Sequence, residues 1–151
     1  GQGEGCSAQE TGVDLNRNYG VDWGLTAEMY QSASDPCFEF YPGKTAFSEP
    51  ESRAVRDFMA SHNDVKFVIN FIQTATVLYG LLTVLEEDIE KRAPGVLPIF
   101  KDIVANANFP PDLVSGNAYD TIQQKVGGDT DDYITATYGI PSVTSEIGYG
   151  N

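Results

Sequence analysis

The chain holds one histidine and two cysteines among its 151 residues, so the usual ingredients of a metal or nucleophile site are scarce. A zinc ion normally takes three or four ligands from His, Cys and carboxylate, and His62 with two distant cysteines assembles none of the usual sets. His62 lies in Ser61-His62-Asn63-Asp64 and reads as an exposed helix-end histidine, where its charged form suits the helix dipole. Cations are scarce too. Nine Lys plus Arg face 22 Asp plus Glu, a net charge of -13. Phosphate backbones are held by clustered cations, so nucleic acid is excluded as a partner, and the same sign argues against an anionic membrane surface. No apolar run reaches the roughly 18 residues of a membrane span. The polar, Gly-rich start does not read as a signal peptide, and Gly rather than Met at position 1 leads us to expect a processed or truncated piece.

Cys6 and Cys37 are too far apart in sequence for a C-x-x-C redox or metal pair. Two readings stay open. One is a disulfide, favoured by an extracellular setting and contributing about 3–4 kcal/mol through chain entropy. The other is two unpaired buried thiols.

What is present is enough for a core: at 41% hydrophobic and 11% aromatic the chain is not disordered. Residues 1–45 are rich in Gly, Asn, Asp and Pro, which reads as loop with one short extended piece from Gly12 to Leu15. Long ordered loops tend to carry binding residues, which directs attention to Asp14-Leu15-Asn16-Arg17-Asn18. Ser48-Glu49-Pro50-Glu51 is a capping box with Pro in the first turn, and Ala54, Val55, Phe58 and Met59 mark the apolar face of a helix ending near Ser61. Val65 to Ile72, nearly all apolar and β-branched, reads as a strand buried on both faces.

Thr76 to Leu82 is either a second strand or the start of the helical pattern that follows, in which Glu86, Glu87, Asp88 and Glu90 form a solvated face. Val96 to Ala107 shows helix spacing at Ile99, Phe100, Ile103 and Val104. A loop through Ser115-Gly116-Asn117 leads to a strand expected over Tyr119 to Val126. Asp129 suits the N-cap of a short helix stopped by Gly139, and Pro141 to Ile147 is a final buried strand. Helices alternating with apolar strands predict an α/β fold, a mixed sheet with helices on both faces.

The motifs go further than the pattern. Gly12-Val13-Asp14-Leu15-Asn16-Arg17-Asn18-Tyr19 resembles the G-V-D-x-N-R-N-[FWY] signature of the zinc carboxypeptidases of the carboxypeptidase A and B family. Further matches follow in family order: Cys37 before Tyr41-Pro42-Gly43, the Ser48-Glu49-Pro50-Glu51 helix start, the strand Val65 to Phe71, Gly128 through Tyr133, and Ser145-Glu146-Ile147-Gly148. The resemblance covers nearly the whole chain. It implies a carboxypeptidase-like fold truncated at both ends, with residues 1–151 the central and C-terminal part of one catalytic domain. Zinc would serve the complete domain, and its partners would be the C-termini of peptides or proteins.

The resemblance also implies roles. Arg17 would take the substrate's terminal carboxylate with Asn16 beside it. A planar guanidinium grips a carboxylate through two parallel charge-assisted bonds, although N-R-N alone would also suit an Asn-rich turn with a surface Arg. Asp14 corresponds to the carboxylate that supports a zinc-ligand His, or caps a turn. Glu146 falls where the family has its general base and acid, the competing reading being a salt-bridged structural Glu. Asp131 matches the position lining the pocket for the terminal side chain, apolar in A-type enzymes and Asp in B-type enzymes. That implies a preference for substrates ending in Lys or Arg. The competing reading is that Asp129, Asp131 and Asp132 are helix-start residues favoured by the dipole.

Three positions depart from the family. The chain contains no H-x-x-E motif, the source of two zinc ligands; the position of the third ligand, a His, is Ile72; and the mobile Tyr that covers substrate is replaced by Gln124. Ile cannot ligate zinc, so none is expected at the family site in this chain. Two explanations stay open: a mis-joined or incomplete product with Ile72 to Leu82 scrambled, or a degenerate relative that binds peptide C-termini without metal. A Cys6–Cys37 disulfide together with the family habit points to a secreted or lysosome-like compartment.

Overall fold

The computed structural model describes residues 12–30, 35–72, 77–80, 86–106, 114–116 and 126–146. It divides into two compact units, one of residues 1–64 and 126–133, the other of residues 65–125 and 134–151.

The first unit is mostly loop, as its composition predicts. Its extended stretch is shorter than expected: Asp14 is extended (φ -69, ψ 108), but Leu15 already opens a single 3-10 turn, Leu15–Arg17. Helix α1 (Leu25–Met29) follows Gly24. Helix α2 spans Pro50–Ser61, with Pro50 in the first turn, where its missing N–H costs no hydrogen bond. The cap differs from the expected capping box. Glu49 is the N-cap and makes no side-chain cap bond, while the Ser48 hydroxyl donates to Glu49 Oε1 (2.8 Å). The buried face differs as well: Ser52 and Met59 are buried, whereas Ala54 is exposed and Phe58 is 52% exposed. Ser52 can be buried because its hydroxyl is satisfied by Asn18 Oδ1 (2.6 Å) and by the Glu49 carbonyl (3.0 Å). Phe58 stacks instead on the exposed ring of His62, centroids 4.1 Å apart, at the helix C-terminus where that histidine was expected.

Among the described residues the second unit has four strands, β1 (Val68–Ile72), β2 (Val77–Gly80), β3 (Val114–Gly116) and β4 (Ser142–Glu146), in the order β1-β4-β2-β3. β4 pairs parallel with β1 and antiparallel with β2, and β2 pairs parallel with β3, a mixed sheet as predicted. Helices α3 (Glu86–Arg92) and α4 (Val96–Asn106) are joined through Ala93 and Gly95. Helix α5 (Thr130–Tyr138) starts in the first unit and ends in the second. Ile89, Ala93, Val96, Phe100 and Val143 form the apolar core of this unit, with Phe67, Leu97 and Ala136 packed against it. Each large side chain fully buried here contributes about 1.5–3 kcal/mol.

β1 begins only at Val68 and is not covered on both faces: Ile69 is 50% and Phe71 67% exposed. Among the described residues it pairs only with β4, at the edge of the sheet, and the face that carries Ile69 and Phe71 is left uncovered. In α4 the buried face runs through Val96 and Phe100, and Ile99 is 48% exposed. Ser115 and Gly116, expected in a loop, pair in β3 with Leu78 and Tyr79, a tertiary contact that overrides weak local β-propensity. The ambiguous segment 76–82 is a strand over Val77–Gly80. The strand expected over Tyr119 to Val126 lies outside the described residues apart from Val126, which is not in a strand.

Candidate functional site

The signature loop folds through its own side chains. Asp14 caps the 3-10 turn, its Oδ1 accepting from the Asn16 N–H (2.9 Å), so the turn-capping role is present. Asn18 is 0% exposed and is the hub of the loop. Its Nδ2 donates to the Pro42 carbonyl (2.8 Å), the Thr45 carbonyl (3.1 Å) and Ser48 Oγ (2.9 Å). Its Oδ1 accepts from the Glu49 N–H (3.2 Å) and Ser52 Oγ (2.6 Å), and so holds the start of α2 in place of a local cap. Gly43 (φ +85) lets this happen, because a Cβ there would meet Asn18 Nδ2 at 2.8 Å.

The same loop is tied to the start of α5. Asn16 Oδ1 accepts from both the N–H and the hydroxyl of Thr130 (3.1 Å each), and the Tyr19 N–H donates to the Gly128 carbonyl (2.7 Å). Gly128 (φ +77) approaches so closely that a Cβ would overlap the Arg17 carbonyl. Asp129 caps α5 as predicted, its Oδ1 accepting from the Asp132 N–H (2.8 Å), and Gly139 (φ +65) ends the helix. Tyr19, Phe47 and Tyr133 stack beneath, with centroids 5.1 to 5.8 Å apart.

Two ionisable groups in this region are incompletely satisfied. The Arg17 side chain is 14% exposed, and among the described residues its single side-chain hydrogen bond runs from Nη1 to the Asn16 carbonyl (2.7 Å). Its Nε is buried without a hydrogen-bond partner, and the nearest paired carboxylate oxygen, Asp14 Oδ2, is 3.9 Å away. Asp129 Oδ2 is likewise buried without a partner. Burial pushes the Asp129 carboxyl up from its ordinary value, against the pull of the Asp132 amide and the Arg17 charge. Burial also raises the Tyr19 phenol, opposed by its hydrogen bond with Thr130 and reinforced by the negative charge of Asp131.

Asp14, Asn16, Arg17 and Asp131 therefore all stand in the first unit, Asp131 buried in the first turn of α5. Glu146 stands in the second unit at the end of β4, opposite Ile72 at the end of β1. Cys37 is disulfide-bonded; Cys6 and Gln124 lie outside the described residues. Among the described residues no group of three or more His, Cys, Asp or Glu side chains is placed to hold a metal ion, so the donor set on view does not fit zinc. The local sequence assigns Asp129 its cap but gives neither the hub role of Asn18 nor the pairing of Thr130 with Asn16. The second Asn of N-R-N carried the one usable signal for the hub.

The model of the zinc carboxypeptidase family matches residues 3–150. Human mast cell carboxypeptidase A is 36% identical over 89 residues, 54% of this chain and 20% of that protein. Carboxypeptidase B of Helicoverpa zea is 29% identical over 150 residues, 89% of this chain and 33% of that protein. Among solved structures, carboxypeptidase A from Helicoverpa armigera superposes with a TM-score of 0.68 at 26% identity, over 100% of this chain and 37% of that one. The bovine thrombin-activatable fibrinolysis inhibitor, solved in complex with a tick carboxypeptidase inhibitor, shares the fold with a TM-score of 0.66 at 22% identity, over 98% of this chain and 49% of that one. The chain thus spans less than half the length of each of these relatives, and with its mixed sheet and helices it has their α/β fold. Matched along nearly all its length, it belongs to the zinc carboxypeptidase family.

Proposed function

We propose that this chain is the central and C-terminal part of a single carboxypeptidase catalytic domain, residues 1–151, that acts on the C-termini of peptides or proteins. The observation that carries the reading is the state of Arg17: a mostly buried guanidinium with, among the described residues, one hydrogen bond and a buried, unpaired Nε. Such a group is costly unless a carboxylate completes it, and a substrate's terminal carboxylate matches its planar fork. Asn16 adds to this: its Oδ1 accepts from Thr130, which fixes the side chain and leaves its Nδ2 as the proposed neutral donor to the substrate.

Glu146 is the proposed proton carrier. As a water oxygen bonds to the scissile carbonyl carbon, its carboxylate takes the water proton and then delivers it to the amine as the C–N bond breaks. Asp131 is the proposed selector of basic side chains, a buried carboxylate suited to pairing with Lys or Arg. The family's zinc would supply a Lewis acid in the complete domain, with Asp14 supporting it. The residues described here do not form that site, and no step is assigned to it. A bond between Cys37 and Cys6 and a secreted or lysosome-like location complete the proposal. Among the described residues no helix is long and apolar enough to cross a membrane.

Ile72 beside Glu146 favours a second reading, a binder of peptide C-termini without hydrolysis. Incubation of the complete protein with peptides ending in Lys and in Leu, read by mass spectrometry, together with a binding titration, separates the two. The enzyme reading expects loss of the terminal residue, abolished by Glu146→Gln and Arg17→Ala. The binder reading expects intact peptides and binding lost only in Arg17→Ala.

A further inference from the structure

We infer that Phe40 is a positioning residue for Arg17, its ring serving as the platform that fixes the plane of the guanidinium. This rests on the carboxylate reading of Arg17. The Arg17 Cζ lies 5.2 Å from the Phe40 centroid, within the roughly 6 Å at which a cation is drawn to a ring face. Among the described residues, few polar contacts hold the group: one hydrogen bond through Nη1, an unpaired Nε, and an Asp14 oxygen at 3.9 Å. A single bond through one nitrogen does not by itself fix the plane of the guanidinium. A flat neighbour does.

The platform is itself held. Phe40 packs against Phe38 (5.6 Å, edge-on) and Tyr30 (5.9 Å), and a Tyr30–Phe38 contact of 5.6 Å closes the triangle. Two consecutive turns frame it, the Phe38 N–H donating to the Asp35 carbonyl and the Tyr41 N–H to the Phe38 carbonyl, both at 3.0 Å. The disulfide-bonded Cys37 lies in the same segment. The Asp14 N–H then donates to the Tyr41 carbonyl (2.9 Å), and the Gly12 N–H to the Pro36 carbonyl (3.4 Å). Ring and guanidinium are thereby referenced to the same short stretch of backbone. Without the ring, a carboxylate must order Arg17 at the moment of binding, which weakens affinity about fivefold to tenfold.

The test is calorimetric titration of the 151-residue chain with N-benzoyl-glycyl-lysine and with its C-terminal amide, alongside NMR of the Arg17 Nε–Hε resonance. In the wild type that resonance is expected upfield of an unstacked arginine. Phe40→Leu is expected to move it to the unstacked position and to bind the free acid about fivefold to tenfold more weakly, while Phe40→Tyr, which keeps the ring face, preserves both. An unshifted wild-type resonance, or a Phe40→Leu variant with unchanged resonance and affinity, overturns the inference. A wild type that binds acid and amide alike overturns the carboxylate reading instead, and the resonance still reports on the stacking.

Discussion

The two units bury polar groups to different extents. The second closes around aliphatic and aromatic side chains, Ile89, Val96, Phe100 and Val143, on two helices and a strand. The first buries Asn18, Ser52, Asp129, Thr130, Asp131 and Asp132, and its order comes from hydrogen bonds between loops distant in sequence. Apolar cores tolerate changes of shape when volume and pattern are kept, whereas a buried polar network fails when a single donor becomes an acceptor. The region that carries the signature motif is therefore the one whose geometry is most exacting.

Phe100→Ala should cost the second unit about 3–5 kcal/mol in urea unfolding, through lost burial and a cavity. Asn18→Asp should cost the first unit about 3 kcal/mol despite near-identical shape, because an oxygen would replace the Nδ2 that donates to Pro42, Thr45 and Ser48. Ile89→Leu, the shape-changing counterpart in the apolar core, should cost under about 1.5 kcal/mol. If Asn18→Asp cost no more than Ile89→Leu, the contrast between the units would collapse.

The smallest effect concerns Asp129. Because burial raises its carboxyl above the ordinary 3.8, the folded state keeps a proton that the unfolded state releases. The stability contributed by this group is fully present below 3.8 and is lost as pH rises through the higher folded-state value. Asp129→Asn keeps an Oδ1 for the Asp132 N–H and removes the titration, so the variant should gain stability relative to wild type as pH rises above 3.8 and through the raised folded-state value. A difference that is flat or of opposite sign would mean that the Arg17 charge, not burial, dominates at this carboxyl.

The same contrast explains what was legible in the sequence. Features that depend on near neighbours appeared where expected: α2 ending at Ser61, the Asp129 cap, the Gly139 stop and the final strand. The mixed α/β sheet followed from the alternation of apolar patterns. What the pattern missed depends on distant partners. Ser52 is buried because Asn18 reaches it from far up the chain, β3 exists because β2 lies beside it, and the exposure of Phe71 depends on what packs on its face of β1. Arg17 and Asn16 were legible as a motif, but the support of Asn18, Thr130 and Phe40 was not, since no local spacing encodes it.

The central claim is that Arg17 recognises a terminal carboxylate. The most direct measurement is the difference in affinity between a peptide with a free C-terminus and the same peptide amidated, in wild type and Arg17→Ala. We expect the wild type to prefer the free acid by at least about tenfold, since a bidentate charge-assisted pair is worth about 1.5–3 kcal/mol, and Arg17→Ala to erase that preference. Equal affinity for acid and amide in the wild type, or a preference that survives in Arg17→Ala, would contradict it.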